Sequence, residues 1–464
     1  MNKAKIKSRR DFLKKLSVGV GSASLLATTG KLQLMQAAMA ADTDYSNLPD
    51  HKSLVCIFLL GGNDAFNMMV PYQQDVYNQY KNTRSRLAIP RSSLLPLKGN
   101  EQAFHPSMPD LQKLYNDDNL AIQTHVGAII EPTSRTSYNN ESVLLPPDLF
   151  SHSHQQEFWE TGTTAKNSVH PPGWGGRMID LLVTANSNPT EPALFSLAGN
   201  SVWQRGLKPL DFVLNPYSGV KQIDAFVEDT WPRWKNSRID AWKKIQQMNT
   251  TSPLAQHLDD KYSSTEERIN NLIGEIARAQ EITTTYPENN DLALQLKMAA
   301  KMISIRQNLG MKRQIFFIGV TGWDNHSNQL EEHEERLKTL NDAMVSFYNT
   351  TVELGVKDSV TTFTASEFGR TLSINGDGSD HAWASHHLIM GGAVKGGQIH
   401  GEPIDFSIDG ADDAEDTGRF VPKYSVDQYG ATLAQWMGMT DSDMHEIFPN
   451  LKNFNNTNLG FMAT

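Results

Sequence analysis

The stretch 54–71, LVCIFLLGGNDAFNMMVP, constrains the fold more than any other part of the chain. Its first seven residues are apolar without alternation, and the run stops abruptly at Gly61-Gly62-Asn63-Asp64. Such a run reads as a strand buried on both faces, as in the middle of a parallel sheet. The glycine pair permits a tight turn. Asn63, Asp64 and Asn67 then stand at the strand's C-terminal edge, where open α/β sheets bind their ligands. A carboxylate placed there is a metal ligand or a catalytic group; the alternative is a cap on the next helix.

The same pattern recurs. Residues 314–320 form an apolar strand that runs into Thr321-Gly322-Trp323-Asp324-Asn325-His326. Residues 359–364 form a further strand, followed by Ala365-Ser366-Glu367-Phe368-Gly369-Arg370-Thr371. A glycine-rich loop at 375–379 then leads to Asp380-His381. Further strands are expected at 120–127, 193–197, 211–214 and 388–390, and helices at 110–116, 178–185, 331–354 and 424–437. The implied fold class is α/β, a mostly parallel central sheet flanked by helices. Residues 222–310, polar and charged, read as a helical insertion or cap on that sheet, and the residues after 437 as peripheral.

Strand ends, then, gather Asp64, Asp324, His326 and Glu367, with Asp380 and His381 on the adjoining loop. Carboxylates and imidazoles brought to one edge repel or desolvate one another unless a cation compensates. A mixed Asp, Glu and His set suits zinc, manganese, iron or magnesium. A second cluster, Ser151-His152-Ser153-His154, opens a helix. A hydroxyl there is an ordinary N-cap, or a nucleophile whose developing anion the helix N-terminus stabilises. Cys56, the single cysteine, lies inside the first strand and reads as a buried, inert thiol.

The N-terminus belongs to a different process. Ser8-Arg9-Arg10-Asp11-Phe12-Leu13-Lys14-Lys15, a weak apolar segment and Ala38-Met39-Ala40 make a twin-arginine (Tat) export leader over residues 1–40. The apolar segment is too short for a stable membrane anchor. The expected partner during export is the Tat translocase, and the destination is the periplasm or the medium. Setting aside the leader's eight basic residues and one acid leaves 34 basic against 51 acidic residues. That balance argues against nucleic acid as a partner.

Taken together, these pieces resemble the DUF1501 family of exported bacterial proteins over essentially the whole mature length. The residues that carry the resemblance are Gly61-Gly62-Asn63-Asp64-Ala65-Phe66-Asn67, His105-Pro106, Ser151-His152, and Trp159-Glu160-Thr161-Gly162. Gly322-Trp323-Asp324-Asn325-His326, Ser366-Glu367-Phe368-Gly369-Arg370-Thr371 and Asp380-His381 complete the set. The family is similar to the alkaline phosphatase and sulfatase superfamily. That likeness implies metals at the C-terminal edge of the sheet and hydrolysis of phosphate or sulfate esters.

By the same resemblance, Asp64 matches the first-strand metal ligand, and Asp324 and His326 match an Asp and a His on a later strand. Glu367 falls at an Asp position and Phe368 where a His is usual, so a second metal site lacks its imidazole unless His381 or His386 supplies one. Ser151 is the expected nucleophile beside His152, with Ser153, Thr136 and Ser137 as alternatives, and Arg370 the expected clamp on the ester oxygens. A non-catalytic periplasmic binding or assembly protein on a degenerate hydrolase scaffold is the competing reading.

Overall fold

A computed structural model describes residues 43–99, 101–163, 171–188, 191–207, 211–220, 237, 240–241, 244–245, 252–403 and 405–463. Among these, the main sheet has nine strands: β1 (Lys52–Leu59), β2 (Leu120–Gly127), β3 (Leu194–Ser196), β4 (Asp211–Val213), β5 (Arg313–Val320), β6 (Val360–Ala365), β7 (Ser385–Met390), β8 (Ile399–His400) and β9 (Tyr424–Ser425). Their spatial order is β8-β2-β7-β6-β1-β5-β3-β4, with β9 beside β2. The Tat leader expected over residues 1–40 lies outside the described residues. No helix among the described residues is long and apolar enough to cross a membrane.

β1 is apolar without alternation because it is enclosed on all sides. It pairs in parallel with β5, from Lys52↔Arg313 to Leu59↔Val320, and with β6, from Ser53↔Val360 to Phe58↔Ala365. Leu54 through Leu59 are all buried, and each fully buried aliphatic or aromatic side chain there contributes roughly 1.5–3 kcal/mol. Cys56 is buried among them, and burial pushes its thiol well above the ordinary range.

The principal helices are α1 (Gln74–Arg84), α2 (Pro109–Asn116), α3 (His152–Thr161), α4 (Trp174–Leu182), α5 (Pro253–Arg278), α6 (Asp291–Ser304), α7 (Gln329–Glu353) and α8 (Val426–Trp436). α2, α6 and α7 pack together as one layer, and α6 also meets β5. Of the stretch 222–310, α6 carries a buried stripe, Leu292, Leu296, Ala299 and Ile303, at helical spacing. Its N-cap Asn290 accepts the Ala293 amide at 3.0 Å. On the side facing α3, α4 and α8, an aromatic cluster fills the core. Trp174 meets Trp203 at 5.0 Å and Phe363 at 6.0 Å, and Phe363 meets Tyr429 at 5.8 Å.

The sheet is mostly parallel, as expected, with β7 antiparallel to both β6 and β2. Two sequence expectations change. The helix expected over 424–437 is preceded by β9, because Ser425 closes a capping box with Gln428 and so fixes the start of α8 at Val426. The residues after 437 are not peripheral: Met444, Ile447, Phe448 and Phe461 are buried in the core. Phe448 reaches Trp174 at 5.5 Å, across the small surface of Gly430. Isolated apolar residues in an irregular tail give no periodicity to read.

The core also encloses histidines. Burial pushes His387 and His105 down to about 3 and His125 to about 4, so the folded protein holds them neutral. In the unfolded chain the same rings take up protons near pH 6.5. Below that pH the unfolded state binds more protons than the folded one, so stability falls as pH drops from about 6.5 toward 4. Urea unfolding should show a clearly lower midpoint at pH 5 than at pH 7.5; equal midpoints would contradict this assignment of neutral rings.

Candidate metal centre

Three parallel strands end side by side, and each delivers part of one site. After β1 the chain turns through Gly61 (φ +125°) and Gly62 (φ +89°). A Cβ on Gly61 would run into the Asp324 amide nitrogen, and one on Gly62 would lie 2.5 Å from the Phe368 ring. Both glycines are therefore demanded twice, by backbone conformation and by close approach. Asp324 and His326 follow β5, and Ser366, Glu367 and Arg370 follow β6. Because β7 returns antiparallel, the loop before it stays at this edge and brings Ser379, Asp380 and His381 into place. The last piece is the first turn of α3, which carries His152.

Asp324 is the hub. Its Oδ1 accepts from Arg370 Nη1 at 3.0 Å and lies 2.9 Å from His326 Nε2 and 3.1 Å from His381 Nε2. Its Oδ2 lies 3.4 Å from His152 Nε2. The outer nitrogens of two rings are already committed. His152 Nδ1 donates to Glu367 Oε1 at 2.9 Å, and His381 Nδ1 donates to the Phe150 carbonyl at 2.8 Å. Each ring therefore points Nε2 at the Asp324 carboxylate while a carboxylate or carbonyl fixes it from behind, the arrangement that orients metal-ligating histidines. One donor atom from each of His152, Asp324 and His381 lies within 4.8 Å of the other two.

The electrostatics favour an ionised Asp324. Burial works against ionisation of Asp324, yet Arg370, His326 and His381 together hold its carboxyl below the usual range. Burial pushes His381 down, and with Nδ1 donating to Phe150, its Nε2 lies 3.1 Å from Asp324 Oδ1 and 3.0 Å from His326 Nε2, which can donate to it. His152 is raised, chiefly by its hydrogen bond to Glu367. A cation held among these atoms would take the Nε2 lone pairs of His152 and His381 and an oxygen of Asp324. The donor set of two imidazoles and a carboxylate fits a divalent metal of the zinc, manganese or iron type.

The other residues singled out from sequence occupy distinct places. Asp64 is fully buried, and its two oxygens accept from Arg84 and from Gln329 Nε2. It has no side-chain role in capping the short helical turn after it. Glu367 Oε1 accepts from the Gly61 amide at 2.8 Å as well as from His152. Arg370 has no exposed surface, and its nitrogens reach Gly61 O, Asp324, Ser379 Oγ and Ser379 O. His326 stands at the rim, with Nδ1 3.6 Å from Asp380. Ser151 is the N-cap of α3, but its hydroxyl contacts Ser153 and His154 rather than His152.

Three contributors had no sequence signal of this kind: the Phe150 carbonyl, because any residue carries one, and Arg84 and Gln329, because their partner Asp64 is distant in sequence or sits on another element. A testable consequence concerns the turn. Gly61→Ala should lower folding stability by roughly 1–3 kcal/mol through the positive φ alone, and more through the clash with Asp324. A urea midpoint equal to that of the wild type would contradict the close packing described.

A comparison with curated proteins gives no match. Among solved structures, the chain is similar to the soluble domain of lipooligosaccharide phosphoethanolamine transferase A from Neisseria meningitidis, at 9% identity and TM-score 0.38, covering 91% of this chain and 96% of that one. It is similar also to the PsFucS1 sulfatase from Pseudoalteromonas sp., at 9% identity and TM-score 0.33, covering 89% and 72%. A third is the alkaline phosphatase PafA, at 15% identity and TM-score 0.28, covering 70% and 64%. The family model described as "Protein of unknown function (DUF1501)" matches residues 51–421, and the chain belongs to that family.

Proposed function

We propose that this protein is an exported, metal-dependent hydrolase of small phosphate or sulfate esters, delivered to the periplasm or the medium by the Tat translocase. The observation that supports this reading is the trio of Asp324, His152 and His381, with both rings anchored from behind. These three residues would hold a divalent cation, with His326 beside them. When bound, such a cation polarises a phosphoryl or sulfuryl oxygen and stabilises the charge that develops on it.

The chain's own residues do the rest. Glu367 and the Phe150 carbonyl fix the two rings, so that neither turns when substrate enters. Arg370, fully enclosed, holds Asp324 in position and is a positioning residue; it has no exposed surface with which to clamp ester oxygens. His326, half exposed, stands at the rim with its Nε2 on Asp324. Ser151 aims its hydroxyl elsewhere, so water is the attacking group in this reading. The same orientation of Ser151 favours, as a second reading, a binding protein that uses the site without turnover.

Zinc- and manganese-loaded protein should hydrolyse an aryl phosphate or an aryl sulfate. Asp324→Ala and His381→Ala should each lower kcat/KM by more than about 100-fold. Glu367→Gln should weaken metal affinity by roughly 10–100-fold, as loss of a group supporting a ligand does. Turnover unchanged in the Asp324 and His381 variants would overturn the proposal; metal binding without turnover on either substrate would favour the second reading.

A further inference from the structure

The residues around Asp64 carry a more specific conclusion, which rests on the metal-dependent reading above. We infer that the site takes a single divalent cation, and that two buried arginines occupy the electrostatic place of a second. Asp64 and Glu367 stand at strand ends where a further cation would need them as ligands, yet both oxygens of Asp64 and the Oε1 of Glu367 are already engaged by the protein. Asp64 gives one oxygen to Arg84 and the other to Gln329. Glu367 gives Oε1 to the Gly61 amide and to His152.

Arg84 cannot step aside. It has no exposed surface, and Nη1 is tied to the Thr371 carbonyl at 3.1 Å. A cation at Asp64 would lie beside this guanidinium, in a region of low dielectric where like charges repel strongly. Phe368 leaves no room for an imidazole: its ring packs against His381 at 4.5 Å, against His152 at 4.9 Å and over Gly62.

The charge balance agrees. Asp64, Asp324, Glu367 and Asp380 oppose the guanidiniums of Arg84 and Arg370, a net of −2. One divalent cation neutralises that; two would leave the pocket strongly positive and uncompensated. The two halves are also physically joined. Gln329 donates to Asp64 and accepts from Ser379 Oγ at 2.6 Å, and Ser379 Oγ accepts from Arg370 Nε at 3.2 Å. Asp64 is thereby a positioning residue for Asp324, acting through Gln329, Ser379 and Arg370.

Calorimetric titration of the chelator-stripped full chain with zinc, checked by elemental analysis, tests this directly. The expected result is one tight equivalent per chain in the wild type and still one in Asp64→Asn, against a loss of more than about 100-fold in affinity in Asp324→Asn. Two tight equivalents in the wild type, one of them lost in Asp64→Asn, would overturn the single-cation inference and leave the metal-dependent reading standing. No zinc bound by the wild type would overturn both. The wild-type stoichiometry decides by itself should Asp64→Asn fail to fold.

Discussion

One guanidinium holds the functional edge of this protein together. Arg370 follows β6, and its nitrogens reach the carbonyl of Gly61 after β1, the carboxylate of Asp324 after β5, and Ser379 before β7. Three segments, two of them far from it in sequence, converge on a planar, permanently charged group whose donors point in fixed directions. The geometry of the candidate metal centre depends on that convergence, because Asp324 is the group toward which His152, His326 and His381 all point. Burial of the guanidinium makes the arrangement demanding: each donor left unpaired would cost the full desolvation of a charged group.

Around this staple the fold supplies direction and the loops supply chemistry. The parallel triplet β6-β1-β5 sends three chain ends to one edge. The antiparallel β7 keeps the 366–384 connection at that edge instead of carrying it across the sheet. Helix α3 then brings His152 in from outside, and the Glu367 carboxylate receives it. The result separates two tasks that sequence alone places together: Asp324 faces the solvent with its imidazoles, whereas Asp64 faces inward to Arg84.

Much of this arrangement was legible in the sequence, for physical reasons. An unbroken apolar run ending in two glycines announces β1, since only a strand covered on all sides tolerates such a run and only glycine tolerates the tight turn at its end. The strand-then-ligand pattern brought Asp324, His326, Glu367 and His381 forward as candidates. Pairing could not be read. The partner of Asp64 is an arginine in the polar helix α1, indistinguishable there from a solvated surface residue. The partner of His152 lies 215 residues away, so its ring could be placed beside Ser151 but not against Glu367. The reversed direction of β7 leaves no trace in a six-residue strand either, since periodicity carries no sign.

The central claim is that Asp324, fixed by Arg370, organises the imidazoles of His152 and His381 into one cation site. Anomalous diffraction at the zinc edge from crystals of the zinc-loaded protein tests it most directly. The account predicts a single strong peak bounded by the Asp324 carboxylate and the Nε2 atoms of His152 and His381, with Asp64 still on Arg84. A strong peak at Asp64, or none within reach of Asp324, would contradict it.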